Sequence, residues 1–172
     1  MTNPDFSLLP DDLVQATRAR LGSPVANQMA VNDAERILAM PLPGPLRDFY
    51  MRVGNGNADS FLGLAGGGDF FDGRTAPELY ASYMQDDPDA DPEGRPDPWW
   101  RSGVLPFFYW GCVVFTAVDC ATPDAKVIGF DEGEWVPDGR PLAEWLAAWA
   151  AGAVTQPAGG LSRSPRPSTE AG

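Results

Sequence analysis

The stretch that most constrains the fold runs from Met40 to Asn57, MPLPGPLRDFYMRVGNGN. Pro41, Pro43 and Pro45 hold the entry extended, because each ring fixes φ and biases the preceding residue away from the helical region. Pro45 also suits the first turn of a helix, where its missing N–H is no loss. Leu46, Phe49, Tyr50 and Val53 then recur at i, i+3, i+4 and i+7, which predicts a short helix over 45–53 with one apolar stripe. Gly54-Asn55-Gly56 ends it, since Gly and Asn tolerate the backbone of helix ends and tight turns. The unit reads as an extended entry, a two-turn helix docked on a core, and a sharp exit into a strand.

The 172 residues are one domain's worth of chain, with room for a single sizeable core. No apolar run approaches the roughly 20 residues that span a bilayer. The start, Met1-Thr2-Asn3-Pro4-Asp5, lacks the basic and apolar blocks of a signal peptide, so a cytoplasmic protein without membrane contact is expected. Histidine is absent, which removes the commonest base near neutral pH, the usual Ser or Cys triads and His-containing zinc sites. Cys112 and Cys120 are the only cysteines and predict buried small hydrophobes rather than a disulfide. No resident metal and no cofactor are expected.

Taken in order, a helix is predicted from Asp11 or Asp12 to Leu21, and a second from Asn32, with Asn32 and Glu35 at capping-box spacing. After Gly56 the pattern turns to strand, at Ser60–Leu64 and more thinly at Phe70-Phe71. Gly66-Gly67-Gly68 lacks the Lys-Ser/Thr of a phosphate loop and is followed at once by Asp69. A helix over Pro77–Met84 comes next. Leu105–Tyr109, Val113–Val118, Lys126–Phe130 and Trp135-Val136 read as strands, Val113–Val118 the most continuously apolar and therefore central. Asp138–Pro141 predicts the start of a last helix, whose Leu142, Trp145, Leu146 and Trp149 form its apolar face. The expected fold class is α+β: a single domain with a mostly antiparallel sheet of five or six strands flanked by helices. Residues 1–30 would form an N-terminal helical extension, 31–152 the domain, and 153–172 a disordered tail.

Residues 86–98 hold six acids, one arginine and four prolines, a composition that cannot form regular structure. Asp87, Asp89 and Asp91 copy the first ligands of a calcium loop, but Pro92 and Pro98 replace the glycine and the bidentate glutamate that loop needs. The span therefore reads as a solvated loop or as an acidic contact surface. Net charge is −12 with a single lysine, Lys126, which argues against nucleic acid and suits either a basic protein partner or simple solubility. The partner-binding candidates are Asp86, Asp87, Asp89, Asp91 and Glu93, with Trp99 and Trp100 as interface aromatics. Asp69, Asp119, Asp131, Glu132 and Glu134 sit near strand ends, where a hydrolytic carboxylate pair would have to stand.

One ordered series goes further. Ala34–Leu38 before Leu42-Pro43, the aromatic helix and Gly54-Asn55-Gly56 are followed by Leu105–Cys112, Asp119-Cys120, Val127–Asp131 and Leu142–Leu146. The series resembles the SUKH superfamily over roughly residues 31 to 151. One branch of that family is similar to a fungal cell-wall-assembly regulator, and many bacterial members look like immunity proteins of polymorphic toxin systems. The resemblance implies a SUKH-like domain and a non-enzymatic binding module without catalytic residues. The immunity expectation is direct binding to a cognate toxin, with the acidity favouring a basic nuclease. The alternatives are a regulatory scaffold for a host protein and a carboxylate-dependent hydrolase.

Overall fold

The computed structural model describes residues 8–56, 59–66, 73–85 and 100–158. Helix α1 spans Asp11–Leu21 and α2 spans Gln28–Leu38. A one-turn α3, Gly44–Asp48, runs straight into a π-helical turn, Phe49–Val53. Helix α4, Ala76–Tyr83, precedes four strands, β1 Val104–Gly111, β2 Val114–Asp119, β3 Lys126–Asp131 and β4 Glu134–Pro141, and α5, Leu142–Ala150, follows them. The fold is α+β. Its sheet is an antiparallel meander in the order β1-β2-β3-β4, four strands against the five or six expected.

Three local differences account for that count and for the shifted boundaries. The Ser60–Leu64 segment makes only a bridge, Phe61 to Phe108, in which the Leu62 N–H donates to the Phe107 carbonyl at 2.9 Å and the Tyr109 N–H to the Ser60 carbonyl at 2.9 Å. It covers the β1 edge without becoming a strand. Asp138–Pro141 belongs to β4 and not to the last helix, because Pro137 and Pro141 pair with Ile128 and Lys126 of β3, and Arg140 Nε and Nη2 donate to the Asp138 carboxylate at 2.7 Å within the strand. Helix α2 begins ahead of Asn32, where Asn27 Oδ1 accepts the Ala30 N–H at 2.9 Å. Glu35 is thereby released from the expected cap and instead accepts the Leu42 N–H at 3.0 Å, pinning the extended proline entry.

The opening motif folds as its spacing requires, with one refinement. Leu46, Phe49, Tyr50 and Val53 are all fully buried, but the helix widens at its end, the Gly54 N–H donating to the Phe49 carbonyl five residues back at 3.1 Å. Phe49 stacks on Phe61 and meets Phe107 edge-on, with centroids at 5.3 and 4.9 Å. Phe61 also meets Phe108 and Trp149, each at 4.9 Å. These contacts seat the motif and α5 on one face of the sheet, and Leu142, Trp145, Leu146 and Trp149 of α5 are all buried there. The other face carries Phe115, Phe130 and Trp135, covered by Tyr83 of α4 and by Trp100.

Helix α1 joins the same core. Val14, Thr17 and Leu21 are buried, and Arg20 caps the end of α5, donating to the Trp149 and Ala150 carbonyls with its guanidinium 4.4 Å above the Trp149 ring. The boundary drawn at residue 31 falls inside α2. The cysteines are free, and only one matches expectation. Cys120 is buried and its thiol is pushed up to about 12, chiefly by desolvation, whereas Cys112 is exposed at the β1–β2 turn. Phe70-Phe71 and residues 159–172 of the tail lie outside the described residues.

Candidate functional site

Two tight turns stand side by side at one end of the sheet. The β1–β2 connection has only Cys112 and Val113 between the paired residues Gly111 and Val114. A two-residue hairpin loop matches strand twist best when both residues have positive φ, and Cys112 and Val113 comply at 48° and 60°. Asn-Gly would adopt this backbone without strain. A β-branched valine there is a true outlier, and Val113 is also 46 % exposed. The β3–β4 turn is Glu132-Gly133, flanked by the pair Asp131 and Glu134, and the Glu132 N–H reaches the Val113 carbonyl at 3.4 Å. The result is an exposed apolar tip, held in a costly conformation, beside Asp131, Glu132 and Glu134.

The sequence candidates distribute unevenly around this end. Asp86, Asp87, Asp89, Asp91, Glu93 and Trp99 lie outside the described residues, as does Asp69. Trp100 is described, and it corrects the expectation of an interface aromatic. It is 2 % exposed, its indole N–H donates to the Val104 carbonyl at 2.7 Å, and its ring lies within 5 Å of both Phe130 and Trp135. An indole so enclosed contributes core packing and has no face left for a partner. Its position is informative all the same. Tyr83 and Trp100 bracket the acidic segment in sequence, and their rings are 5.2 Å apart over Phe115 and Phe130. Phe130 and Trp135 are the pair next to Asp131 and Glu134. Both residues that flank the acidic segment are therefore packed on the same sheet face, over Phe115 and Phe130.

The strand-end carboxylates divide between the two ends of the sheet, Asp131, Glu132 and Glu134 together at the β3–β4 turn and Asp119 apart from them. Asp119 ends β2 opposite Val104, and Asp131 pairs with Val114 at the other end of the same strand. Five residues of strand separate the two ends by roughly 17 Å, beyond the spacing of any glycosidase pair. Asp119 instead accepts the Ala121 N–H at 3.0 Å in the turn that follows. Among the described residues no group of three or more His, Cys, Asp or Glu is placed to hold a metal ion, and no helix is long and apolar enough to cross a membrane. What the sequence reading missed was the exposed Val113 tip, which lies at the start of its most apolar strand. The missing signal was hairpin arithmetic, since only two residues separate Gly111 from its partner. No protein-family model matches this chain, and no curated protein matches it either.

Proposed function

We propose that this protein is a non-enzymatic binding module that neutralises a basic protein by covering it, acting as a SUKH-like immunity protein toward a cognate toxin. The observation that carries the proposal is the sheet end where the strained, exposed Val113 tip adjoins Glu132 and Glu134. An apolar tip ringed by carboxylates matches the anatomy of an interface, a small desolvated centre with a charged rim that steers a basic partner. A nuclease is the favoured toxin class, because its substrate-binding cleft has to be basic.

The test is affinity for the captured partner as a function of salt, for the wild type and two variants. One replaces Asp86, Asp87, Asp89 and Asp91 with Asn and Glu93 with Gln. The other carries Glu132→Gln and Glu134→Gln. Each is expected to weaken binding by about tenfold at low salt and to flatten the salt dependence. Wild-type affinity in both variants across the whole salt range would overturn the docking surface. Partner-dependent protection of a toxin's target, lost in the same variants, would establish the immunity role over a scaffold.

A further inference from the structure

At the far end of the sheet, on the Trp100 face, a second surface feature has the opposite electrostatic character. A depression of about 500 Å³ opens between the Arg101-Ser102 turn and strands β3 and β4. That volume lies within the range of small-molecule pockets. Its wall includes the partly exposed Ile128 and the exposed Pro137, which are cross-strand partners, and its rim includes Arg101 and Lys126. Neither cation has a carboxylate partner among the described residues. Arg101 is held in place by Trp135, its guanidinium 4.7 Å from the ring centroid, so its N–H groups are oriented before any ligand arrives.

The two carboxylates of the depression decide the ligand's charge. Asp138 is bound by the Nε and Nη2 groups of Arg140, both at 2.7 Å, and that guanidinium holds its carboxyl below the ordinary value. This pair cancels. Asp119 has no cation paired with it among the described residues, its Oδ1 accepting the Ala121 N–H at 3.0 Å. Among the described residues, two cations against one uncancelled carboxylate leave a single positive charge in the depression, in a chain whose net charge is −12. A monoanion completes the balance, whereas a dianion leaves one charge facing Asp119 uncompensated. The apolar wall asks for a ligand with a body as well as a charge.

We propose that this depression is a binding site for a small monocarboxylate with an apolar body, its carboxylate taken by Arg101 and Lys126 and its body laid on Ile128 and Pro137. The test is an amide NMR titration of the ¹⁵N-labelled full chain with sodium hexanoate, and in parallel with inorganic phosphate. Hexanoate is expected to shift Arg101, Ser102 and Lys126 saturably and to bind about tenfold more tightly than phosphate. Lys126→Ala and Arg101→Ala should each weaken hexanoate by about fivefold with the rest of the spectrum preserved. Lys126 is exposed, so its variant keeps the test valid even if loss of the Arg101–Trp135 contact disturbs folding. Asp119→Asn should narrow the gap between hexanoate and phosphate. Shifts that fail to saturate, or that persist unchanged in Lys126→Ala, would overturn the site, and phosphate binding as tightly as hexanoate would overturn the ligand class.

Discussion

Gly56 shows how a single missing side chain fixes the exit from the central motif. Its φ is 88°, and a Cβ built there would stand 2.7 Å from the Leu62 carbonyl oxygen and 2.9 Å from the Gly63 nitrogen. Those neighbours are backbone, tied down by the Tyr50 hydroxyl, which donates to the same Leu62 carbonyl at 3.0 Å. Asn55 completes the clamp, its amide donating to the Ala65 carbonyl while its oxygen accepts the Leu64 N–H at 3.0 Å. Gly54 differs. Its backbone is extended, and its closest contact, at 2.7 Å, is the hydroxyl of the Ser23 side chain. Gly56→Ala is therefore expected to destabilise the fold by about 2 kcal/mol or more, from the left-handed backbone plus the displaced carbonyl. Gly54→Ala should cost less, because part of what it meets is a short side chain that can rotate away. Urea denaturation of the two variants checks the order, and equal losses would contradict it. The Gly-Asn-Gly signal was legible in the sequence because those residue types have few other uses. Its target, the Leu62 carbonyl twelve residues from Tyr50, was not, since only the folded chain brings the two together.

At the scale of elements, legibility followed the hydrophobic period. Helix α5 is readable because Leu142, Trp145, Leu146 and Trp149 repeat on one face, and all four are buried. Strand β2 is readable because it is apolar on both faces and central. Strand β4 is readable only at Trp135-Val136, because Pro137, Gly139 and Pro141 imitate a loop beyond it. The edge position is what makes them tolerable: from the Asp131–Glu134 pair the ladder alternates, so Pro137 turns its missing N–H outward, where no strand pairs. That placement also blunts the edge against strand addition. The β1–β2 hairpin breaks a local rule in the other direction, placing Cys112-Val113 where Asn-Gly belongs. Cys112→Asn with Val113→Gly is expected to stabilise the protein by about 1 kcal/mol or more, as the left-handed strain is relieved. If the exposed valine is retained for docking, the same double variant should bind the partner more weakly despite melting higher. A rise in melting temperature with binding unchanged would remove Val113 from the interface and leave its strain without a functional reason.

Over the whole molecule, the question is whether α1 is an attachment or a structural part. A sequence split at residue 31 makes it an extension. Yet Leu9, Val14, Leu21 and Ala26 are buried in the same cluster as the aromatic core. Polar ties run the same way. The Asp48 carboxylate, 7 % exposed, accepts the Leu9 N–H at 3.0 Å and Arg52 Nη1 at 2.8 Å, and Arg52 also binds Asp11. The Ala26 N–H donates to the Tyr50 carbonyl at 2.8 Å and the Asn55 N–H to the Pro24 carbonyl at 2.6 Å, so the α1–α2 connection is bonded to the central motif on both sides. Removing residues 1–26 withdraws three large buried side chains, each worth about 1.5–3 kcal/mol. It also strands Asp48 with one partner fewer and uncovers Trp149. A loss on that scale is comparable to the roughly 5–15 kcal/mol by which a domain of this kind is stable. The truncated chain is therefore expected not to fold cooperatively at 25 °C, with its near-ultraviolet circular dichroism lost and its amide resonances collapsed. A truncated chain that melts in a single transition within a few degrees of the full one would show that α1 only rests on a core complete without it. In that case the core surface that Val14 and Leu21 cover would have to be closed by residues that the full chain keeps elsewhere.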